Sequence, residues 1–130
     1  AQGACRRMPP LQWLRFAGRR ALCTTPSPPS ASATPPPPWM MLCYEYVPDV
    51  LERRGPHRPQ HLQLAMQYVD RGHLVLGGAF DPPNGAALVF KGLTEDGVHE
   101  FVAQDPYVQN GLVTKWEVRR WTVVIEGKGP

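Results

Sequence analysis

Cysteine is scarce and odd in number: Cys5, Cys23 and Cys43 are the only three in 130 residues. Such a set excludes a disulfide framework, and Cys43, inside an apolar run, is expected to behave as a small buried hydrophobe. Long hydrophobic runs are missing as well. None approaches the roughly 18 residues that a membrane-spanning helix requires, so no membrane partner is expected. Acidic residues are absent from positions 1 to 38, which hold Arg6, Arg7, Arg15, Arg19 and Arg20 and nine of the 16 prolines. The remaining residues carry nine Lys+Arg against 11 Asp+Glu, so the formal net charge of +3 belongs to the leader. The basic balance is therefore no pointer to nucleic acid. His57, His61, His73 and His99 show no ligand spacing with a cysteine or carboxylate, and Pro59 interrupts the single i, i+4 pair of His57 and His61. No metal and no cofactor is expected.

What is present divides the chain. Residues 6 to 25, RRMPPLQWLRFAGRRALCTT, interleave arginine with Leu11, Trp13, Leu14, Phe16 and Leu22, the composition of an organellar transit peptide. Arg20-Ala21-Leu22 before Cys23-Thr24 resembles a mitochondrial processing site. Mitochondrial import is the expectation, with a plastid as the second destination. Translation from Met40 would instead give a cytosolic protein, and the segment would then be a basic tail or upstream sequence. Thr24 to Pro38, TTPSPPSASATPPPP, offers nothing to bury and reads as a linker. Residues 1–38 are thus expected to be leader and linker, 39–126 one folded domain, and 127–130 a tail.

Within the domain the hydrophobic pattern predicts a strand over Met40 to Val47, ended by Pro48-Asp49. A polar connection follows, then a helix from Pro59 to Asp70, with Leu62, Ala65, Met66 and Val69 as its buried stripe. Gly72 suits the left-handed residue that closes a helix. His73 to Ala79 predicts a second strand, with Gly77 and Gly78 marking a bulge or a close approach. A loop at 81–85 leads to a third strand, Ala86 to Lys91. Thr94 caps a second helix, Glu95 to Gln104, which Gly97 weakens and Asp105-Pro106 ends. After a turn at 107–112 comes a last strand, Lys115 to Ile125, with a bulge near Arg119-Arg120. Arg53-Arg54 and Arg119-Arg120 read as solvated charge or edge protection. The order βαββαβ defines an α+β, ferredoxin-like fold: a four-stranded antiparallel sheet with two helices on one face. Its other face is bare, which predicts a homodimer packed sheet to sheet.

Arg58-Pro59-Gln60-His61 at a helix start, Gly77-Gly78 on the next strand and Asp105-Pro106-Tyr107 after the second helix together resemble the YCII-related family. The resemblance spans about residues 40 to 125 and implies a dimeric α+β barrel like that of muconolactone isomerase. It also implies that His61 and Asp105 are a catalytic pair beside a cleft. A carboxylate bonded to one ring nitrogen fixes the tautomer and leaves the other nitrogen free to exchange a proton. On that assignment His61 is the base and Asp105 its orienter, while Arg58 holds or polarises an anionic small-molecule ligand. Tyr107 offers a hydroxyl, and Gly77 and Gly78 let a ligand oxygen approach. The implied chemistry is of lyase or isomerase type: cofactor-free proton abstraction from a small organic acid, enol or lactone. The alternative is a binding or accessory domain in which the pair only joins two helices.

Overall fold

A computed structural model describes residues 34–129. The segment for which import and processing signals were expected lies outside the described residues. The chain runs through β1 (Trp39–Tyr46), α1 (Val50–Arg53), α2 (Arg58–Asp70) and β2 (Leu74–Ala79). It continues through β3 (Gly85–Lys91), α3 (Glu95–Gln104), α4 (Pro106–Gln109) and β4 (Val113–Trp121). The strands form one antiparallel sheet in the order β2-β3-β1-β4, the ferredoxin-like α+β arrangement expected. The helices α1 and α4 are additions to the simple pattern, formed where a polar connection and a turn were expected. Each has four residues, too short to show a period.

Period-two alternation decides the faces of the sheet. Met40, Leu42 and Tyr44 of β1 are buried and lie opposite Phe90, Leu88 and Ala86 of β3. Val98, Phe101 and Val102 of α3 and Leu64 and Tyr68 of α2 close over them. The Phe101 ring lies 5.0 Å from that of Tyr68 and 5.2 Å from that of Phe90, both edge-on, an aromatic knot at the centre of the core.

Several expectations are corrected. The buried stripe of α2 is Leu64 and Tyr68; Leu62, Met66 and Val69 are 46%, 54% and 41% exposed. The aromatic knot turns Tyr68 inward, and β2 reaches the opposite side of α2 with Gly77 and Gly78, which present no side chain to meet the other stripe. Those glycines stand in regular register with Leu88 and Ala87, and the ladder shifts between Leu74 and Leu76 instead. β4 ends at Trp121 and not at Ile125, because its partner β1 begins at Trp39, immediately after Pro36 to Pro38, which have no N–H to donate. The bulge expected near Arg119-Arg120 lies at the other end of β4, opposite Glu45 and Tyr46. Cys43 alternates away from the core and is half-buried on the open face. Gly97 lies in the first turn of α3, where its N–H donates to Thr94 Oγ1 and Leu93 packs where a Cβ would project.

Leu64→Ala should therefore destabilise the domain by about 2–4 kcal/mol, whereas Met66→Ala should cost less than about 1 kcal/mol. Urea unfolding of the two variants measures the difference, and equal losses would restore the stripe read from periodicity.

Candidate functional site

The site grows out of Asp105. This residue ends α3 in an extended conformation and begins α4, where its Oδ1 accepts the Tyr107 N–H at 2.9 Å as an N-cap. Pro106 occupies the first helical position, which needs no donor. The carboxylate is fully buried. Oδ2 accepts the Tyr44 hydroxyl at 2.9 Å, and Oδ1 also accepts His61 Nδ1 at 2.8 Å. Three donors thus converge on one buried carboxylate. Because an ionised carboxylate only accepts, Nδ1 is the donor of this bond, and Nε2 is the nitrogen left to exchange a proton.

Tyr107 fixes the imidazole plane as well: the two rings stack with centroids 4.0 Å apart and planes 5° from parallel. The His61 side chain is 12% exposed. Nε2 has no hydrogen-bond partner among the described residues, yet no buried side-chain nitrogen or oxygen among them lacks one. Nε2 is therefore accessible to solvent, on a residue that lines a cleft.

That cleft, about 380 Å³, lies between α2 and the β2–β3 side of the sheet. One end is polar, with Arg54, Arg58, His61, Tyr46 and Tyr107, and the rest is apolar, with Leu62, Met66 and Val69 along α2 facing β2. Arg58, His61, Gly77, Gly78 and Tyr107, all expected at the site, do line it, and Asp105 stands behind His61. A Cβ at Gly77 would touch Leu88 at an ordinary 3.5 Å and one at Gly78 would meet nothing, so packing within the chain does not demand either glycine.

Three residues were missed. Tyr44 and Tyr46 lie on the helix-covered face of β1, a position its alternation could have signalled. Arg54 caps the C-terminus of the short α1 and is half-buried at the cleft, not the solvated charge expected. Arg53 is the exposed member of that pair, 3.7 Å from Asp49.

Burial raises the pKa values of Tyr44, Tyr46 and Tyr107. For Tyr44 burial is followed by the Asp105 charge and the bond to it, and for Tyr46 by the influence of Tyr107 and Asp105. The Tyr107 hydroxyl is raised by burial too, with Arg58 and Arg54 pulling the other way. All three phenols therefore remain hydrogen-bond donors at neutral pH. Among the described residues no group of three or more His, Cys, Asp and Glu side chains is placed to hold a metal ion.

The sequence model of the YCII-related domain matches residues 38–122, and the chain belongs to that family. A similar solved structure is 5-chloro-2-hydroxyhydroquinone dehydrochlorinase from Burkholderia phenoliruptrix AC1100, in complex with 2,5-dihydroxybenzoquinone. It is 24% identical over 65% of this chain and 93% of its own, with a TM-score of 0.57. A second is a protein named as a candidate antibiotic biosynthesis monooxygenase from Bacteroides thetaiotaomicron VPI-5482. It is 14% identical over 73% of this chain and 96% of its own, with a TM-score of 0.49. No curated protein matches.

Unfolding returns Tyr44 to its ordinary value of 10.0, so above about pH 10 the unfolded chain releases a proton that the folded chain keeps. The stability that Tyr44 contributes is complete below that pH and is lost as pH rises beyond it. Tyr44→Phe should flatten the fall between about pH 10 and 12 while costing about 1–3 kcal/mol at neutral pH, where Asp105 loses a donor. Removing the anchor with Asp105→Ala should cost about 3–5 kcal/mol. Denaturant unfolding across pH checks both, and a Phe variant as alkali-sensitive as the parent would contradict the first.

Proposed function

We propose that the protein transfers protons to and from small enolisable molecules in this cleft, as a lyase or isomerase. The observation that carries the reading is the His61–Asp105 pair: Nδ1 is bound to the buried Asp105, which leaves Nε2 as the nitrogen available for proton exchange on a residue that lines the cleft. Nε2 takes a proton from carbon, and the electron pair of that C–H bond passes to the adjacent carbonyl as an enolate. An isomerase returns the proton to another carbon; a lyase expels a leaving group from the neighbouring carbon. The hydroxyls of Tyr46 and Tyr107 and the Arg58 guanidinium supply donors toward the oxygen where charge develops. This step calls on side chains alone.

The dehydrochlorinase in complex with a dihydroxybenzoquinone supplies a probe of suitable size, although its likeness to this chain establishes the fold only. The completeness of the Asp105 cluster favours one second reading. A carboxylate satisfied by Tyr44, His61 and Tyr107 already explains the pair as structure, and the cleft would then bind without turning over. His61→Asn separates the two, since its amide nitrogen can replace Nδ1 as donor to Asp105 while the nitrogen available for exchange is lost. Solvent deuterium exchange into a panel of cyclic enols, lactones and 2-oxo acids, followed by NMR, should fall by about 100-fold or more in this variant. Exchange that survives the substitution, or a wild type that binds 2,5-dihydroxybenzoquinone and exchanges nothing, would reject the catalytic reading.

The same reading includes a homodimer. Trp39, Met41 and Cys43 alternate onto the open face of the sheet, and Trp121 pairs with Trp39 beside them, 43% exposed. Met41→Asp should raise the dimer dissociation constant by about tenfold or more in sedimentation while preserving the circular dichroism of the fold. A wild type that sediments as a monomer would contradict this assembly.

A further inference from the structure

We propose that Arg54 and Arg58 form an anion seat that selects a small organic monoanion, its charged group at the polar end of the cleft and its apolar body along α2. The proposal rests on the cleft being the functional site and deepens that reading by naming the substrate class. Arg54 closes α1 and Arg58 opens α2, and the N–H of Arg58 donates to the Arg54 carbonyl at 2.8 Å, so the two residues are one helical turn apart. Both line the same cleft. Among the described residues neither guanidinium is within ion-pair distance of a carboxylate, whereas the adjacent Arg53 pairs with Asp49. Among the described residues no acidic side chain lines the cleft.

The carboxylate behind it, Asp105, is already occupied by Tyr44, His61 and the Tyr107 N–H. The two arginines set against Asp105 leave one net positive charge among these three side chains, the complement of a monoanion. Like charges a turn apart repel, and an entering carboxylate or enolate relieves that repulsion while a guanidinium offers it a planar two-point contact. Leu62, Met66 and Val69, exposed beyond the seat, provide the wall for an apolar body. A neutral ligand of the same shape can use the wall and leaves both cations without a counter-charge.

The test is equilibrium binding of 4-ethylbenzoate and its neutral isostere 4-ethylbenzamide to the full chain, by calorimetry and NMR titration. The acid should bind about tenfold or more tightly than the amide, and its affinity alone should weaken as salt rises from about 50 to 500 mM. The double variant Arg54→Gln, Arg58→Gln should bring the two ligands within about twofold of each other. Arg54→Lys should keep part of the preference, since it keeps the charge and loses the planar contact. Equal affinities in the wild type, a preference that survives the double variant, or binding of neither ligand would overturn the seat. If acid preference stands and His61-dependent exchange fails, the catalytic reading alone falls; if exchange stands and the preference is absent, only the anion seat falls.

Discussion

A buried carboxylate with three donors holds this structure together at the point where it could act. Burying an ionised group away from water is costly unless its oxygens are bonded. Asp105 meets that condition by drawing on three separate elements: Tyr44 of β1, His61 of α2 and the first turn of α4. The same contacts that offset its burial therefore place the imidazole, aim its free nitrogen and bring Tyr107 onto the face of the ring. Fold and site share one anchor. Local changes at Asp105 propagate to strand, helix and cleft together.

Much of this was legible in the residues. Asp105-Pro106-Tyr107 announced a helix boundary, and the structure shows why each residue suits its place: acceptor and cap, donor-free first position, stacked ring. The element order followed from alternation and from caps such as Thr94. The reading failed where tertiary context decides. On α2 two stripes overlap, His61-Leu64-Tyr68 and Leu62-Ala65-Met66-Val69, and the second is the more uniformly apolar. A period cannot say which faces the sheet; the packing of Tyr68 against Phe90 and Phe101 does. At the end of β4 the residues Thr122 to Ile125 have strand composition, but the ladder depends on a partner, and the prolines before Trp39 supply none. Arg54 was misjudged for a related reason. The four-residue α1 is invisible to periodicity, and without it nothing turns that side chain toward the cleft.

The stripe that does not enter the core gains meaning from its position. Exposed Leu62, Met66 and Val69 are unfavourable in water, and they lie opposite the stretch of β2 where glycines remove side chains. A helix that presents apolar residues across from such a strand keeps a gap open along its flank. The polar end of the gap is supplied by chain geometry, since the entry of α2 carries Arg58 and His61 one turn apart and α1 delivers Arg54 just before them. Hydrophobic wall and charged end thus come from successive turns of one helix.

Charge connects the two proposals. Removing a proton from the carbon of an acid that is already anionic creates a second negative charge, which is unfavourable in any site lacking cations. A histidine base becomes cationic in the same step, and its new charge lies between Asp105 and the developing enolate. Arg54 and Arg58 stand at that end of the cleft, and the Tyr46 and Tyr107 hydroxyls, kept protonated by burial, donate without needing to change state. Donors fixed before the reaction stabilise a developing charge more effectively than water that must reorient. The arrangement therefore favours a substrate whose charge grows during the step over one whose charge is already complete, and so favours an enolisable acid over an inert carboxylate of the same shape.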